Sequence, residues 1–150
     1  MTKYDKLIFV CTGNTCRSPM AEVIYKNLDK ESNISVFSRG MVVLFGEPIN
    51  PKAEVILKKH DLDISNHISK GIRESEIDDN TLILTMTEAH KRKIEAALPD
   101  AKNLYTIKEY VGEIGDVVDP YGGSLVEYEE CYIELARLVK KTVYKLNEDS

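Results

Sequence analysis

The chain has 150 residues, of which 43% are hydrophobic, and it carries a formal net charge of −5. This length and apolar content suit one globular domain spanning residues 1–150, and no apolar stretch approaches the roughly 18 residues of a membrane span. The negative charge disfavours nucleic acid as a partner, because nucleic-acid binders usually carry a basic patch. The chain has 3 cysteines, with no paired metal-ligand spacing. We therefore expect neither a metal site nor a disulfide framework.

Four short apolar runs alternate with segments of helical period along the chain. The runs cover residues 7–10, 34–37, 82–86 and 104–107. Such alternation is typical of a parallel sheet with helices on both faces. The sequence therefore predicts an α/β fold.

Four helices are predicted between and after these strands. The first takes Ser18 as its cap and Pro19 in its first turn, the second follows Asn50-Pro51, and the third follows Thr87. The fourth runs from about 124 to 146, and we expect it to pack beside the first. The apolar face of the first helix is predicted to hold Met20, Val23, Ile24 and Leu28. The face of the third is predicted to hold Ala89, Ile94, Ala97 and Leu98.

The most informative motif lies between the first strand and the first helix, where residues 11–17 read Cys-Thr-Gly-Asn-Thr-Cys-Arg. Inward-facing N–H groups and the following helix N-terminus would bind a phosphate, and the Arg17 fork would grip two of its oxygens. The same positive field favours a thiolate over a thiol, so Cys11 would act as a nucleophile. A cysteine that ends a buried strand is otherwise a small core residue. Here Gly13, Asn14 and the spaced arginine favour a phosphate-binding loop.

A thiolate that attacks phosphorus needs a partner to protonate the leaving group and later to activate water. Residues 116–123 read Asp-Val-Val-Asp-Pro-Tyr-Gly-Gly and follow the last strand. An Asp-Pro pair alone is usually only a turn. Together with the cysteine loop, it predicts that a carboxylate of this segment is the acid and base.

Residues 10–22, Ser38-Arg39-Gly40, Asn66-His67 and Asp119-Pro120 together resemble the low-molecular-weight protein tyrosine phosphatases, across essentially the whole chain. The resemblance implies a four-stranded parallel sheet flanked by helices, and neither a metal nor another cofactor. It also implies roles for five residues: Cys11 as nucleophile, Arg17 as phosphoryl clamp, Asp119 as general acid and base, Asn14 as the residue that shapes the loop, and Ser18 as hydroxyl donor to the thiolate.

The resemblance places further residues around the same site. His67 would brace Asn14, a structural rather than a chemical role. Cys16 would either trap oxidised Cys11 as a disulfide or simply pack, and we assign Cys131 to the core. The remaining residues expected to bind phosphate or substrate are Thr12, Gly13, Thr15, Cys16 and Tyr121.

Departures from the family pattern bear on the substrate. Thr15 stands where tyrosine-directed members carry isoleucine, and Tyr121-Gly122-Gly123 replaces an aromatic pair. With Met86-Thr87 in place of Met-Asp, these features resemble the bacterial protein arginine phosphatases of the same family. A planar guanidinium favours polar and anionic neighbours over an apolar isoleucine. The alternative is that Thr15 is only a β-branched substitute for isoleucine.

We therefore expect a cytoplasmic, monomeric phosphatase that removes phosphate from phosphoarginine in proteins and has neither nucleic acid nor membrane as a partner. A phosphotyrosine phosphatase using the same residues is the main alternative. A thioredoxin-coupled arsenate reductase is disfavoured, because no relay cysteine lies between Arg17 and Glu130. A non-catalytic phosphoprotein-binding module would tolerate loss of the nucleophile or the acid, and both are present. Leu44 and Phe45 suit either a pocket wall or a local core contact, and we favour the wall.

Overall fold

A computed structural model describes residues 3–31, 33–64 and 66–148 of the chain. In this part of the chain, four strands form one parallel sheet in the order β2-β1-β3-β4. The strands are β1 Lys6–Cys11, β2 Ser35–Gly40, β3 Thr81–Thr85 and β4 Asn103–Thr106. The predicted α/β fold is confirmed, although β1 is one residue longer at each end than predicted and includes Cys11, and β2 ends three residues beyond the predicted run 34–37.

Five α-helices and one 3₁₀ turn complete the described fold. They are α1 Arg17–Leu28, α2 Pro51–Lys59, the 3₁₀ turn Glu74–Glu76, α3 Glu88–Ala97, α4 Ile107–Tyr110 and α5 Leu125–Glu148. Asn50 and Thr87 cap α2 and α3 with their side-chain oxygens, as the sequence predicted. Within the described ranges, no helix combines the length and the apolar character that crossing a membrane requires.

Alternate residues of the central strands supply two apolar layers. Leu7 and Phe9 point into the larger layer, which α1, α2 and α5 cover, whereas Ile8 and Val10 point into a smaller one. Ile94 of α3 packs in the smaller layer. Helices therefore cover both faces of the sheet, and α5 packs against α1 as predicted.

The start and the buried face of α1 differ from the prediction. The helix begins at Arg17, with Cys16 at the capping position, so Ser18 is not the cap. Met20 and Ile24 are buried as predicted, but Leu28 is 46% exposed. The buried face instead includes Tyr25. The apolar face of α1 therefore ends at Tyr25 and does not reach Leu28, the last residue of the helix.

The predicted face of α3 is half right, because Ile94 is buried and Leu98 packs beside it. Ala89 and Ala97 are exposed, whereas His90 and Ile94, one helical turn apart, are buried. An alanine gains little by burial, so it does not determine how a helix is rotated. Ile94 determines the rotation here, because it packs on the apolar sheet face, and it brings His90 inward with it.

The carboxyl ends of β1, β2 and β3 form one edge of the sheet. The chain leaves β1 towards β2 on one side, and β3 lies on the other, which is the position where open parallel sheets bind ligands. Gly40 ends β2 opposite Cys11. A Cβ atom at Gly40 would lie 3.0 Å from the carbonyl carbon of Gly13 and 3.0 Å from the carbonyl oxygen of Thr12, so the loop after β1 needs a glycine here.

Candidate active site

The Cys11 thiol lies at the floor of the loop formed by residues 11–17, which we call the phosphate loop. Cys11 is only 3% exposed, and its sulfur lies 3.0 Å from the Ser18 hydroxyl and 3.5 Å from the Ser18 backbone nitrogen, which donates to it. Ser18 is fully buried. Its hydroxyl faces the sulfur rather than the solvent side of the loop, so it can stabilise a negative charge on that sulfur.

Asn14 is the central support of the phosphate loop. Its φ of 58° lies in the left-handed region, which asparagine adopts more readily than most residues. Its side-chain nitrogen donates to the Ser18 hydroxyl at 2.8 Å, and its side-chain oxygen accepts from the Lys70 backbone N–H at 3.0 Å. His67 Nε2 lies 2.7 Å from the Asn14 carbonyl oxygen. The structure therefore brings together Asn14, Ser18 and His67.

Arg17 connects the phosphate loop to residues 116–123, which we call the acid loop. Its side chain is 5% exposed and its Nη2 lies 3.5 Å from the Asp119 carboxylate, which is 50% exposed. Arg17 Nη1 donates to the Val117 carbonyl at 3.0 Å. The guanidinium is therefore held at the edge of the loop, with Asp119 beside it and open to solvent.

The acid loop is held in turn by the start of α3. The backbone N–H of Glu88 donates to the Asp116 carboxylate at 2.9 Å, and the N–H of Val117 donates to the Met86 carbonyl at 2.9 Å. Asp116 thus satisfies one of the free amides of a helix N-terminus. The two aspartates of the acid loop consequently have separate environments, Asp116 against a helix and Asp119 at the site.

An open cavity lies beside Thr15 of the phosphate loop. Gly13 and Thr15 line it together with Leu44, Phe45 and Glu47. Leu44 is 88% exposed and Phe45 is 70% exposed, so both lie on a wall rather than in a core. Tyr121 of the acid loop is likewise 80% exposed, and the two residues that follow it are glycines without side chains.

Cys16 differs from Cys11 in its surroundings. It is buried, and the hydrogen bond between its thiol and Cys131 of α5, followed by burial, raises its pKa strongly. Cys16 is thus held as a neutral thiol. Cys131 is buried in the core as expected, but its contact with Cys16 joins two helices and could not be read from the sequence.

His90 is a second residue that the sequence analysis missed. Its Nε2 lies 2.9 Å from the Thr12 hydroxyl oxygen, and the residue is only 5% exposed. Burial, and then the neighbouring positive charges of Arg17 and Lys93, lower its pKa to about 4, so the ring is neutral at pH 7. The sequence did offer a signal for His90: it lies three residues after Thr87, the cap of a helix that begins at the carboxyl end of a strand.

The positive groups around the phosphate loop come from the protein itself. Across the three described ranges, no group of three or more His, Cys, Asp or Glu side chains is placed to hold a metal ion. The positive groups aimed at the loop are instead the Arg17 guanidinium and the N-terminus of α1. Together with the Cys11 sulfur, they can bind a tetrahedral anion and attack its central atom.

Comparison with known proteins agrees with this chemistry. The model of the family described as low molecular weight phosphotyrosine protein phosphatase matches residues 6–150. The low molecular weight protein-tyrosine-phosphatase PtpB of Staphylococcus haemolyticus is 39% identical, over 91% of this chain and 96% of that protein. The protein-arginine-phosphatase of Bacillus subtilis is 38% identical, over 95% of this chain and 97% of that protein.

A solved structure shows the same fold. The YwlE arginine phosphatase of Geobacillus stearothermophilus superposes with a TM-score of 0.90 at 35% identity, covering 96% of this chain and 94% of that one. Sequence, fold and the resemblance carried by the cysteine loop thus lead to one assignment. The chain belongs to the low molecular weight protein phosphatases, a family of cysteine-dependent hydrolases that act on phosphorylated proteins.

Proposed function

We propose that this phosphatase hydrolyses phosphoarginine in proteins through a cysteinyl-phosphate intermediate. The observation that carries the choice of substrate is Thr15, whose position on the cavity beside the phosphate loop offers a hydroxyl where an isoleucine would offer only hydrocarbon. The curated protein-arginine-phosphatase of Bacillus subtilis, at 38% identity, supports the same choice.

In the first step the Cys11 sulfur attacks phosphorus and the P–N bond to the arginine side chain breaks. Asp119 enters this step protonated and gives its proton to the leaving nitrogen, so that the arginine departs with the bonding electron pair and a proton. Arg17 and the backbone N–H groups of the phosphate loop stabilise the charge on the equatorial oxygens. The product is an S–P bond on Cys11.

In the second step water replaces the sulfur. The Asp119 carboxylate takes a proton from a water molecule, the water oxygen bonds to phosphorus, and the S–P bond breaks. The electron pair returns to Cys11 as a thiolate, which the Ser18 hydroxyl at 3.0 Å stabilises. Inorganic phosphate leaves, and Asp119 is again protonated for the next cycle.

The walls of the site support a guanidinium substrate. The side chain of Asp119 is 50% exposed beside Arg17, and the carboxyl oxygen that carries no proton in the first step can accept an N–H group of a planar guanidinium. Gly122 and Gly123 follow Tyr121, so the acid loop lacks a second aromatic ring. The site therefore combines polar groups with one open wall, which suits a flat, charged side chain better than a phenyl ring.

Phosphotyrosine is the second candidate substrate. Exposed Leu44 and Phe45 could pack on a phenyl ring, and Tyr121 could contact the opposite face. The PtpB protein-tyrosine-phosphatase, 39% identical to this chain, supports this alternative. The two substrates would use the same nucleophile, clamp and acid.

A comparison of matched peptides tests the proposal. Turnover of phosphoarginine and phosphotyrosine peptides of one sequence is measured with the wild-type protein, and Cys11→Ser serves as the blank. We expect a preference for phosphoarginine of about tenfold or more in kcat/KM, which corresponds to about 1.4 kcal/mol. A preference for phosphotyrosine would contradict the choice of substrate and leave the cysteine mechanism in place.

Two variants of Thr15 separate its hydroxyl from its shape. Thr15→Val keeps the β-branched shape and removes the hydroxyl, whereas Thr15→Ile also adds a methyl group. If the hydroxyl selects the substrate, both variants lower phosphoarginine turnover. If only Thr15→Ile lowers it, volume rather than polarity is selected, and the argument from the hydroxyl is wrong.

The partners follow from the proposed reaction. We propose that the substrates are phosphorylated proteins. We also propose that the enzyme works in the cytoplasm, a reducing compartment that keeps Cys11 as a free thiol. The chain is proposed to act as a monomer, because every group assigned to the reaction comes from a single chain.

A further inference from the structure

His90 is a buried histidine in the active-site region that the proposed reaction does not use. It lies on the first turn of α3, 5% exposed, and its Nε2 contacts the Thr12 hydroxyl at 2.9 Å. Its Nδ1 has no hydrogen-bond partner. A buried imidazole with one unpartnered nitrogen is costly, so its retention beside the phosphate loop calls for a reason.

The pairing indicates which ring nitrogen carries the proton. An unpaired buried N–H is rarer in proteins than an unpaired acceptor. The tautomer with the proton on Nε2 therefore fits best: it donates to Thr12 and leaves only a lone pair on Nδ1. Because α3 carries His90, this bond ties the phosphate loop to that helix.

The start of α3 also holds the acid loop. The Glu88 N–H binds Asp116, and the Met86 carbonyl binds the Val117 N–H. Val117 in turn accepts from Arg17. A single short segment, residues 86–90, thus contacts both the loop of the nucleophile and the loop of the acid.

We propose that His90 is a positioning residue: by tying Thr12 to the start of α3, it fixes the placement of Cys11 relative to Asp119. The proposal rests on the proposed function, in which Cys11 is the nucleophile and Asp119 the acid and base. It does not depend on the choice between phosphoarginine and phosphotyrosine. Proton transfer from Asp119 requires a leaving atom within hydrogen-bond reach of its carboxyl group while the sulfur is in line behind phosphorus. If the phosphate loop moved away from α3, the Cys11 sulfur, the phosphorus and the Asp119 carboxyl group would no longer be aligned.

The test uses two aryl phosphates and variants at both ends of the bond. Phenyl phosphate has a poor leaving group that needs the proton of the acid, whereas p-nitrophenyl phosphate needs it much less. His90→Leu and Thr12→Val each remove the bond, and Thr12 lies on the surface, so its variant tests the idea even if His90→Leu folds poorly. His90→Gln is the matched control, because its neutral side-chain amide can still donate to Thr12.

We expect His90→Leu and Thr12→Val each to lower kcat for phenyl phosphate about tenfold, as small misplacements of reacting groups do. The loss for p-nitrophenyl phosphate should be smaller than that for phenyl phosphate in each variant, and in His90→Leu it should stay within about threefold, because general acid catalysis contributes little there. The double variant should resemble either single one, and His90→Gln should recover most of the loss. In an Asp119→Asn background, His90→Leu should change kcat little.

Three results would overturn the proposal. The first is that His90→Leu lowers kcat equally for both aryl phosphates. The second is that the double variant lowers kcat by the product of the two single effects. The third is that His90→Leu lowers kcat as much in the Asp119→Asn background as in the wild type. Each would show that His90 only supports the fold. Failure of the phosphoarginine proposal is separate, because it would be seen with the peptides, whereas aryl phosphates report on Cys11 and Asp119 whichever peptide is preferred.

Discussion

The two aspartates of the acid loop show how local surroundings divide roles between identical side chains. Asp116 accepts from the first amide of α3 at 2.9 Å, so its carboxylate is committed to a helix N-terminus. Asp119 accepts from the Tyr121 backbone N–H at 3.0 Å, but its side chain is 50% exposed and lies beside Arg17, so it can meet a leaving group. Asp119 is the one that lies beside the Arg17 guanidinium, where the phosphoryl group would bind and where an acid and base is required.

Replacement of Asp119 should therefore remove catalysis while leaving the fold intact. We expect Asp119→Asn to lower kcat for a poor leaving group by about 10²–10⁴, the usual contribution of general acid–base catalysis. The measurement is steady-state hydrolysis of phenyl phosphate, with a thermal melt to show that the variant is folded.

Asp116→Asn is the matched control for that prediction. The amide oxygen of asparagine still accepts from the Glu88 N–H, and asparagine is a good capping residue. We expect kcat to fall by no more than about threefold, since only the charge at the helix end is lost. A larger loss at Asp116 than at Asp119 would show that the roles are assigned the wrong way round.

At the scale of single residues, the sequence predicted the groups that lie together along the chain. Residues 11–18 form one loop and one helix start, so spacing alone places Cys11 near Arg17. Cys131 was correctly assigned to the core. The contacts of His90 with Thr12 and of Cys131 with Cys16 were missed, because they depend on how α3 and α5 are rotated. No local pattern carries that information.

Among the elements, β2 approaches the phosphate loop closely at Gly40. A methyl group at Gly40 would lie 2.7 Å from Val43 Cγ2 and 3.0 Å from the backbone of the loop. The valine can turn away, but the backbone cannot. Gly40→Ala should therefore displace the loop by a few tenths of an ångström, lower kcat/KM by about tenfold or more and cost about 1–3 kcal/mol of unfolding free energy.

Gly71→Ala provides a control on the same sheet edge. Gly71 forms a bridge with Gly40, yet a methyl group there would meet nothing nearer than 3.9 Å. We expect its kcat/KM to stay within about twofold of wild type, since contacts at that distance are ordinary van der Waals contacts. Equal effects at the two glycines would contradict the argument from the close approach of the loop.

Element boundaries and helix faces were the parts that the sequence predicted least well. A serine followed by proline is a typical helix start, but here Ser18 is needed one residue inside α1, where its hydroxyl meets the Cys11 sulfur. The function of the residue thus overrides the capping pattern. In α3 the error came from treating alanine as a marker of the buried face.

For the molecule as a whole, His90 links stability to pH. Its pKa is about 4 in the folded protein and about 6.5 in an unfolded chain. Between these values the unfolded chain binds a proton that the folded protein does not, so the free energy of unfolding falls as the pH drops from about 6.5 to about 4. The loss amounts to at most roughly 3 kcal/mol.

Urea denaturation at pH 7 and at pH 5 measures this dependence. Wild type should lose more stability over the interval than His90→Gln, which cannot titrate. Glu113 does not confuse the comparison, since hydrogen bonds from Arg137 and then Lys141 lower its pKa to about 2. Its stabilisation is lost only as the pH falls below about 4.5. Identical losses in the two proteins would exclude His90 as the source.

The topology of the whole molecule was the most predictable level. Four apolar runs separated by helical segments restrict the chain to a parallel sheet, and ligands of such sheets bind at the carboxyl ends of the strands. The strand order and the cover of each face then position every loop of the site. What the topology leaves open is the fit between neighbouring loops, which depends on residues such as Gly40.

The buried Asn14 has a consequence for the kinetics of binding. Its contacts with Ser18, with the Lys70 amide and with His67 are made within the protein itself and hold the phosphate loop in its curved shape. An arriving oxyanion therefore meets a receptor that is already ordered, and no loop has to fold around it. Association should then be governed by diffusion and electrostatic steering, and so respond to ionic strength rather than to the flexibility of the loop.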